Sequence, residues 1–213
     1  NFKNLSAQLG QRFLQDGRVS TYLRGHTAAA DECIKQLAQS EGIFGRVALV
    51  ALGGYGRREL FPYSDLDVMV LLEQNPDQET AEKIERFLMK LWDMGLTVGS
   101  SVRTIESALE ESAKDITVQT ALLEARLIEG DLLLFARLQK EFFSQMDAAG
   151  FFRAKALELR QRHQKHEDTP YSLEPNVKES PGGLRDLHML FWCSHAAGMG
   201  ATPEEMLAAG TIS

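Results

Sequence analysis

Residues 47–52 (Val-Ala-Leu-Val-Ala-Leu) and 68–72 (Val-Met-Val-Leu-Leu) are apolar runs of strand length. Between them lie Gly53-Gly54-Tyr55-Gly56-Arg57 and two acids, Asp65 and Asp67. This stretch constrains the fold more than any other. It predicts a buried strand, a glycine turn, a short connector and a second strand that opens with two carboxylates. Side chains alternate across a strand, so Asp65 and Asp67 share one face. Aspartate is a poor strand former, and a carboxylate in an otherwise apolar strand costs stability unless a cation or water compensates. Glycines let backbone amides approach a phosphate chain without a Cβ in the way. Asp65 and Asp67 are therefore candidate metal ligands and catalytic residues, and their hard oxygens suit Mg²⁺. Gly53 and Gly54 are candidate cradles for a nucleotide triphosphate, with Ser64 offering a further hydrogen bond. Arg57 is either a phosphate clamp or a solvated surface arginine, and Tyr55 reads as packing. The plainer alternative is a hairpin whose second strand begins on a solvated edge.

A second segment, 178–186 (Lys-Glu-Ser-Pro-Gly-Gly-Leu-Arg-Asp), brings together Lys178, Arg185 and a Gly182-Gly183 pair that opens a helix. Lys178 and Arg185 can neutralise phosphate charge, and amides at the start of a helix favour anions. The alternative is a tightly packed helix entry. Arg103, after a third strand, is a further cation of this kind. His163 and His166, three apart with Glu167 and Asp168 nearby, could face one way; a solvated helical face is the simpler reading. His188 and His195 read as packing or surface, and Trp92 and Trp192 as core.

Helical spacing precedes the first strand (Leu5, Leu9, Phe13; Cys33, Ile34, Leu37), with Gly17 and Gly25 as interruptions. A helix over 78–92 puts Ile84, Phe87, Leu88 and Leu91 on one face, and a strand over 97–102 follows. Further helices are expected at 105–113, 116–127, 131–145, with Asp131 as cap, 151–167 and 182–197. The fold class is α+β: a mixed sheet with flanking helices plus a helical subdomain. A core with its N-terminal helices would occupy 1–104, and a helical subdomain completing the cleft 105–213.

At 213 residues the chain can bury a real core, and a net charge of -7 argues against nucleic acid as the main partner. No apolar run reaches the length of a membrane span, and no signal peptide is visible. Cys33 and Cys193 fit reduced, buried thiols in a cytoplasmic protein. The sequence does not set the oligomeric state.

The stretch 53–67 resembles the glycine-rich and Asp-x-Asp signature of the DNA polymerase β-like nucleotidyltransferases. Segments 173–188 and 91–104 narrow the likeness to the transferase region of the bacterial PII uridylyltransferases. That resemblance implies a polymerase β-like fold and Mg²⁺-dependent transfer of UMP from UTP to a tyrosine of the PII signalling protein, a regulator of nitrogen metabolism, with release of pyrophosphate. Other outcomes stay open: a different acceptor, a preference for ATP, or a non-catalytic nucleotide-binding module. Arg58 stands where relatives often carry a small residue, and Ser100 where a His is common. A third carboxylate, usual in the superfamily, has no counterpart in the strand after Thr97. Full-length members continue with a hydrolytic HD domain and two ACT domains. The chain contains no His-Asp dipeptide, so it reads as the transferase portion of a longer protein.

Overall fold

Two helices open the chain, α1 (Phe2–Asp16) and α2 (Val19–Glu41), in a computed structural model that describes residues 2–43, 45–94, 97–166 and 176–212, without the Lys3 side chain. Gly17, at φ 65°, turns the chain between them. Gly25 does not interrupt α2. It lies under the Leu9 side chain of α1, where a Cβ would come within 2.8 Å of it.

The sheet begins with β1 (Val47–Ala51), every residue of which is buried. One short turn, α3 (Gly53–Gly56), and a connector lead to β2 (Leu66–Leu72), which pairs antiparallel with β1 so that Ala51 lies opposite Val68. Helix α4 (Gln78–Trp92) then carries the chain across to β3 (Val98–Thr104), which runs parallel to β2. A parallel neighbour requires such a crossover. Asp77 starts α4 by accepting a bond from the Thr80 amide at 2.8 Å. Ile84, Phe87 and Leu91 of α4 are buried, with Leu88 packed against the same core of α2, β1 and β2 side chains.

Helices α5 (Ile105–Lys114) and α6 (Ile116–Leu123) follow, and then a strand, β4 (Arg126–Gly130). The expected helix over 116–127 is therefore cut short. Leu-Leu-Glu-Ala-Arg-Leu is helix-forming by propensity, but β1 has a second free edge, and β4 fills it antiparallel. The sheet order is β3-β2-β1-β4. Gly130 ends the strand, at φ 105°. Asp131 caps the next helix, α7 (Leu132–Ser144), through the Leu133 and Leu134 amides at 2.9 and 3.0 Å.

The chain ends with α8 (Ala148–Lys165), α9 (Leu184–Ala196) and α10 (Pro203–Ala208). It falls into two compact units, one of Asn1–Lys114 with Glu124–Lys140 and one of Asp115–Leu123 with Glu141–Ser213. Because β4 pairs with β1, residues 124–140 group with the sheet. The second unit is helical, with Phe142, Phe151, Met189, Trp192 and Met206 buried. Trp92 departs from expectation: it lies one residue round from the buried Leu91 and is 53% exposed. Cys33 and Cys193 are free thiols, each half-buried.

Candidate active site

Leu52, the residue after β1, donates its amide to the Asp67 carbonyl at 3.0 Å, so the ladder reaches the acids. The chain then turns at Gly53, at φ 55°, a conformation that suits glycine. Behind it the Gly56, Arg57 and Glu59 amides donate to the carbonyls of Leu52, Gly53 and Gly54 at 2.8–3.0 Å. The Gly53, Gly54 and Tyr55 amides donate to no acceptor among the described residues.

Asp67 lies beside Gly99 in the β2–β3 register. A Cβ on Gly99 would sit 2.3 Å from its Oδ1, and one on Gly53 3.4 Å from its Oδ2. The carboxylate is thus lodged between two positions that carry no side chain. Neither the Asp65 nor the Asp67 carboxylate accepts a hydrogen bond or meets a cation among the described residues. Burial first, and the Asp65 charge second, push the Asp67 carboxyl above the usual carboxylate range.

Two like charges side by side with nothing to neutralise them fit a divalent cation. Among the described residues, no group of three or more His, Cys, Asp or Glu side chains could hold a metal. The strand register explains why. The β3 positions on the Asp67 face are Gly99, Ser101 and Arg103, with Thr97 just ahead of the strand, and none is an acid. Mg²⁺ is commonly held by one or two carboxylates, with substrate phosphates and water completing its shell, so the pair suffices for that mode.

Arg57 is fixed by the chain: its Nε donates to Glu59 at 2.9 Å, and its Nη1 to the buried Glu124. It is therefore not the solvated arginine of the plainer expectation. Its Nη2 lies over Gly54, 3.7 Å from where a Cβ would stand. Ser64 is half-buried in the connector, its amide bonded to the Phe61 carbonyl at 3.1 Å. Arg58 adopts φ 64°, a left-handed conformation that a side chain with a Cβ disfavours. Tyr55 is more than packing. Its side chain is buried and its hydroxyl donates to Asp31 at 2.5 Å, a contact that sequence reasoning missed.

The second glycine pair behaves differently. The Gly182 amide donates to the Asp186 carboxylate at 2.7 Å. Those of Gly183, Leu184 and Arg185 go to the carbonyls of Ser180, Val177 and Lys178 at 2.8–3.0 Å. The amides expected to meet an anion are thus spent within the loop. Gly183 is needed for close approach, since a Cβ there would lie 2.6 Å from the Val177 carbonyl. Arg185 bonds to Glu179 at 3.3 Å and lies over the Trp192 ring, while the exposed Lys178 side chain has no partner among the described residues.

Asp186 also takes Arg162 at 2.5 Å and His163 at 2.9 Å. Burial alone would raise its pKa, but the Gly182 amide, Arg162 and His163 together hold it below the usual range. His163 is therefore a paired residue and not part of a solvated face. His166 ends α8, and Glu167 and Asp168 lie outside the described residues. Arg103 pairs with Glu111 at 2.5 Å. His188 and Trp192 are buried against each other, and His195 packs on Phe143.

Residues 30–122 match the nucleotidyltransferase domain family, so the class is that of a nucleotidyltransferase. Residues 150–213 match the GlnD PII-uridylyltransferase family. Over 99% of its length the chain is 49% identical to the bifunctional uridylyltransferase/uridylyl-removing enzyme of Burkholderia mallei (strain SAVP1). It is 48% identical, over the same share, to the enzyme of that name from Burkholderia thailandensis. The chain belongs to this family, and it spans 25% of the length of these relatives. A crystal structure of a toxin-antitoxin with AMP-PNP is a loose likeness, 16% identical with a TM-score of 0.35, covering 65% of this chain and 95% of that one. No helix among the described residues is long and apolar enough to cross a membrane.

Proposed function

We propose that the chain is the transferase portion of a PII-modifying enzyme, which moves UMP from UTP to a tyrosine hydroxyl of the PII protein. The tyrosine oxygen attacks the α-phosphorus as its hydroxyl proton passes to solvent. The bond from that phosphorus to the bridging oxygen breaks, and pyrophosphate leaves. One observation carries this reading: two carboxylates stand beside three backbone amides, none with a partner among the described residues, on a turn with no Cβ at Gly53 or Gly54.

Asp65 and Asp67 would hold Mg²⁺, which when bound offsets charge on the triphosphate and lowers the pKa of the attacking hydroxyl. The Gly53, Gly54 and Tyr55 amides would bind phosphate oxygens, and Arg57 Nη2, fixed by Glu59 and Glu124, would add a cationic donor above Gly54. Ser64 would contribute a hydroxyl from the connector. Uridine as the base and PII as the acceptor rest on the family match, and the site chemistry favours a cytoplasmic pool of Mg²⁺ and nucleoside triphosphate. A second reading, a binding module without turnover, is favoured by the lack of a third carboxylate on β3.

Calorimetry with UTP and ATP, with and without Mg²⁺, followed by pyrophosphate release in the presence of PII, tests the proposal. Mg²⁺-dependent UTP binding with release is expected. Binding without release would favour the second reading, and no binding would reject both.

A further inference from the structure

We infer that Asp31 and Arg126 are positioning residues for the glycine turn, acting through Tyr55. Asp31 lies on α2 and Arg126 opens β4. Their side chains form a two-pronged ion pair: Arg126 Nη1 donates to Asp31 Oδ2 at 2.9 Å, and Nη2 to Oδ1 at 3.0 Å. The same guanidinium also reaches the turn. Nη2 donates to the Tyr55 carbonyl and Nε to the Gly56 carbonyl, each at 3.3 Å. Asp31 closes the ring by accepting the Tyr55 hydroxyl at 2.5 Å. The guanidinium carbon lies 5.3 Å from the centre of the Tyr55 ring.

The arrangement does more than fill space. A two-pronged pair that is only 15% exposed on either side chain is expensive to desolvate, and such pairs are weak evidence for stability. What this one specifies is the direction of two peptide planes. In the plane after Tyr55 the carbonyl meets Arg126, and the Gly56 amide meets Leu52. In the next plane the Gly56 carbonyl meets Arg126, and the Arg57 amide meets Gly53. Both planes are held at both ends. Gly56 also abuts the Glu124 carbonyl, which a Cβ would approach within 2.1 Å. With its trailing side pinned, the turn keeps the Gly53, Gly54 and Tyr55 amides on its leading side, next to Asp67. Asp31 and Arg126 touch neither nucleotide nor metal in this scheme. The link to substrate rests on the proposed function; the fixing of the turn does not.

The test uses the 213-residue chain with Arg126→Lys, which keeps the charge but not the fork, together with Asp31→Asn and Tyr55→Phe. Amide hydrogen exchange of the ligand-free proteins is read alongside nucleotide KM and kcat. Arg126→Lys should speed exchange at Gly56, Arg57 and Glu59 by about tenfold while the β1 and β2 amides keep their protection. It should raise the KM for Mg–UTP by about tenfold and alter kcat by less than about threefold. Asp31→Asn should act alike, the double variant should be no worse than either single one, and Tyr55→Phe should have the smallest effect. Unchanged exchange in the turn, or an equal loss of protection throughout the sheet, would overturn the inference, and Asp31→Asn decides it if Arg126→Lys does not fold. If the turn loosens in a chain that binds no nucleotide, the positioning role stands and the proposed function falls.

Discussion

Two Gly-Gly turns in this chain look alike in sequence and differ in what they leave unspent. At Gly182-Gly183 every amide from 182 to 185 has an acceptor within the loop or on Asp186. At Gly53-Gly54 three amides and the two neighbouring carboxylates have none among the described residues. Asp65 is exposed and Asp67, Gly53 and Gly54 are half-buried, so this cluster is open to a ligand arriving from solvent, whereas the amides of the second turn are already taken. The second turn completes itself, and the first awaits something with a cation and an anion.

The largest effect should come from the first turn. Asp67→Asn should lower transfer by about 10³-fold or more, checked by pyrophosphate release. It should also raise the melting temperature of the metal-free chain at neutral pH. The sign follows from the raised Asp67 pKa: the folded chain holds this proton to a higher pH than the unfolded chain does, so stability falls as pH rises from the unfolded pKa through the raised one. Next comes Gly99→Ala, which removes no ligand but drives a Cβ against Oδ1 of Asp67. A loss of about 10²-fold in kcat/KM is expected for a displaced ligand, and full activity would break the assignment.

The second turn should answer in stability. Asp186→Asn should cost about 2 kcal/mol in urea unfolding, because it weakens charged bonds to Arg162, His163 and the Gly182 amide. The Asp186 pKa is depressed, so its contribution is present above the ordinary carboxylate value and lost as pH falls through the folded one. A cost confined to low pH would contradict this. The smallest effect is Arg58→Gly, which relieves φ 64° and should change stability favourably by about 0.5–1 kcal/mol.

How much was legible follows from distance along the chain. The buried strand, the turn and the acids at 47–72 were readable because glycine conformation and strand alternation are local properties. The α4 face was readable for the same reason, and Trp92 was misread because it lies one step round the helix from Leu91. Strand β4 was not legible, since its residues favour helix and only the open edge of β1 makes them a strand. The clasp on Tyr55 was hidden as well. Asp31 and Arg126 are 95 residues apart, and a lone acid on a helix face carries no sign of its partner. The spent amides at 182–185 were equally hidden, because a Gly-Gly pair before a helix reads the same whether its N–H groups are free or bonded.

The most direct measurement is an amide ¹H–¹⁵N titration of the chain with Mg–UTP. The Gly53, Gly54 and Tyr55 resonances should shift at saturation, while those of Gly182 to Arg185 stay near their ligand-free positions. Silence at the first three, with or without movement at the second four, would contradict an anion cradle at Gly53-Gly54 beside Asp65 and Asp67.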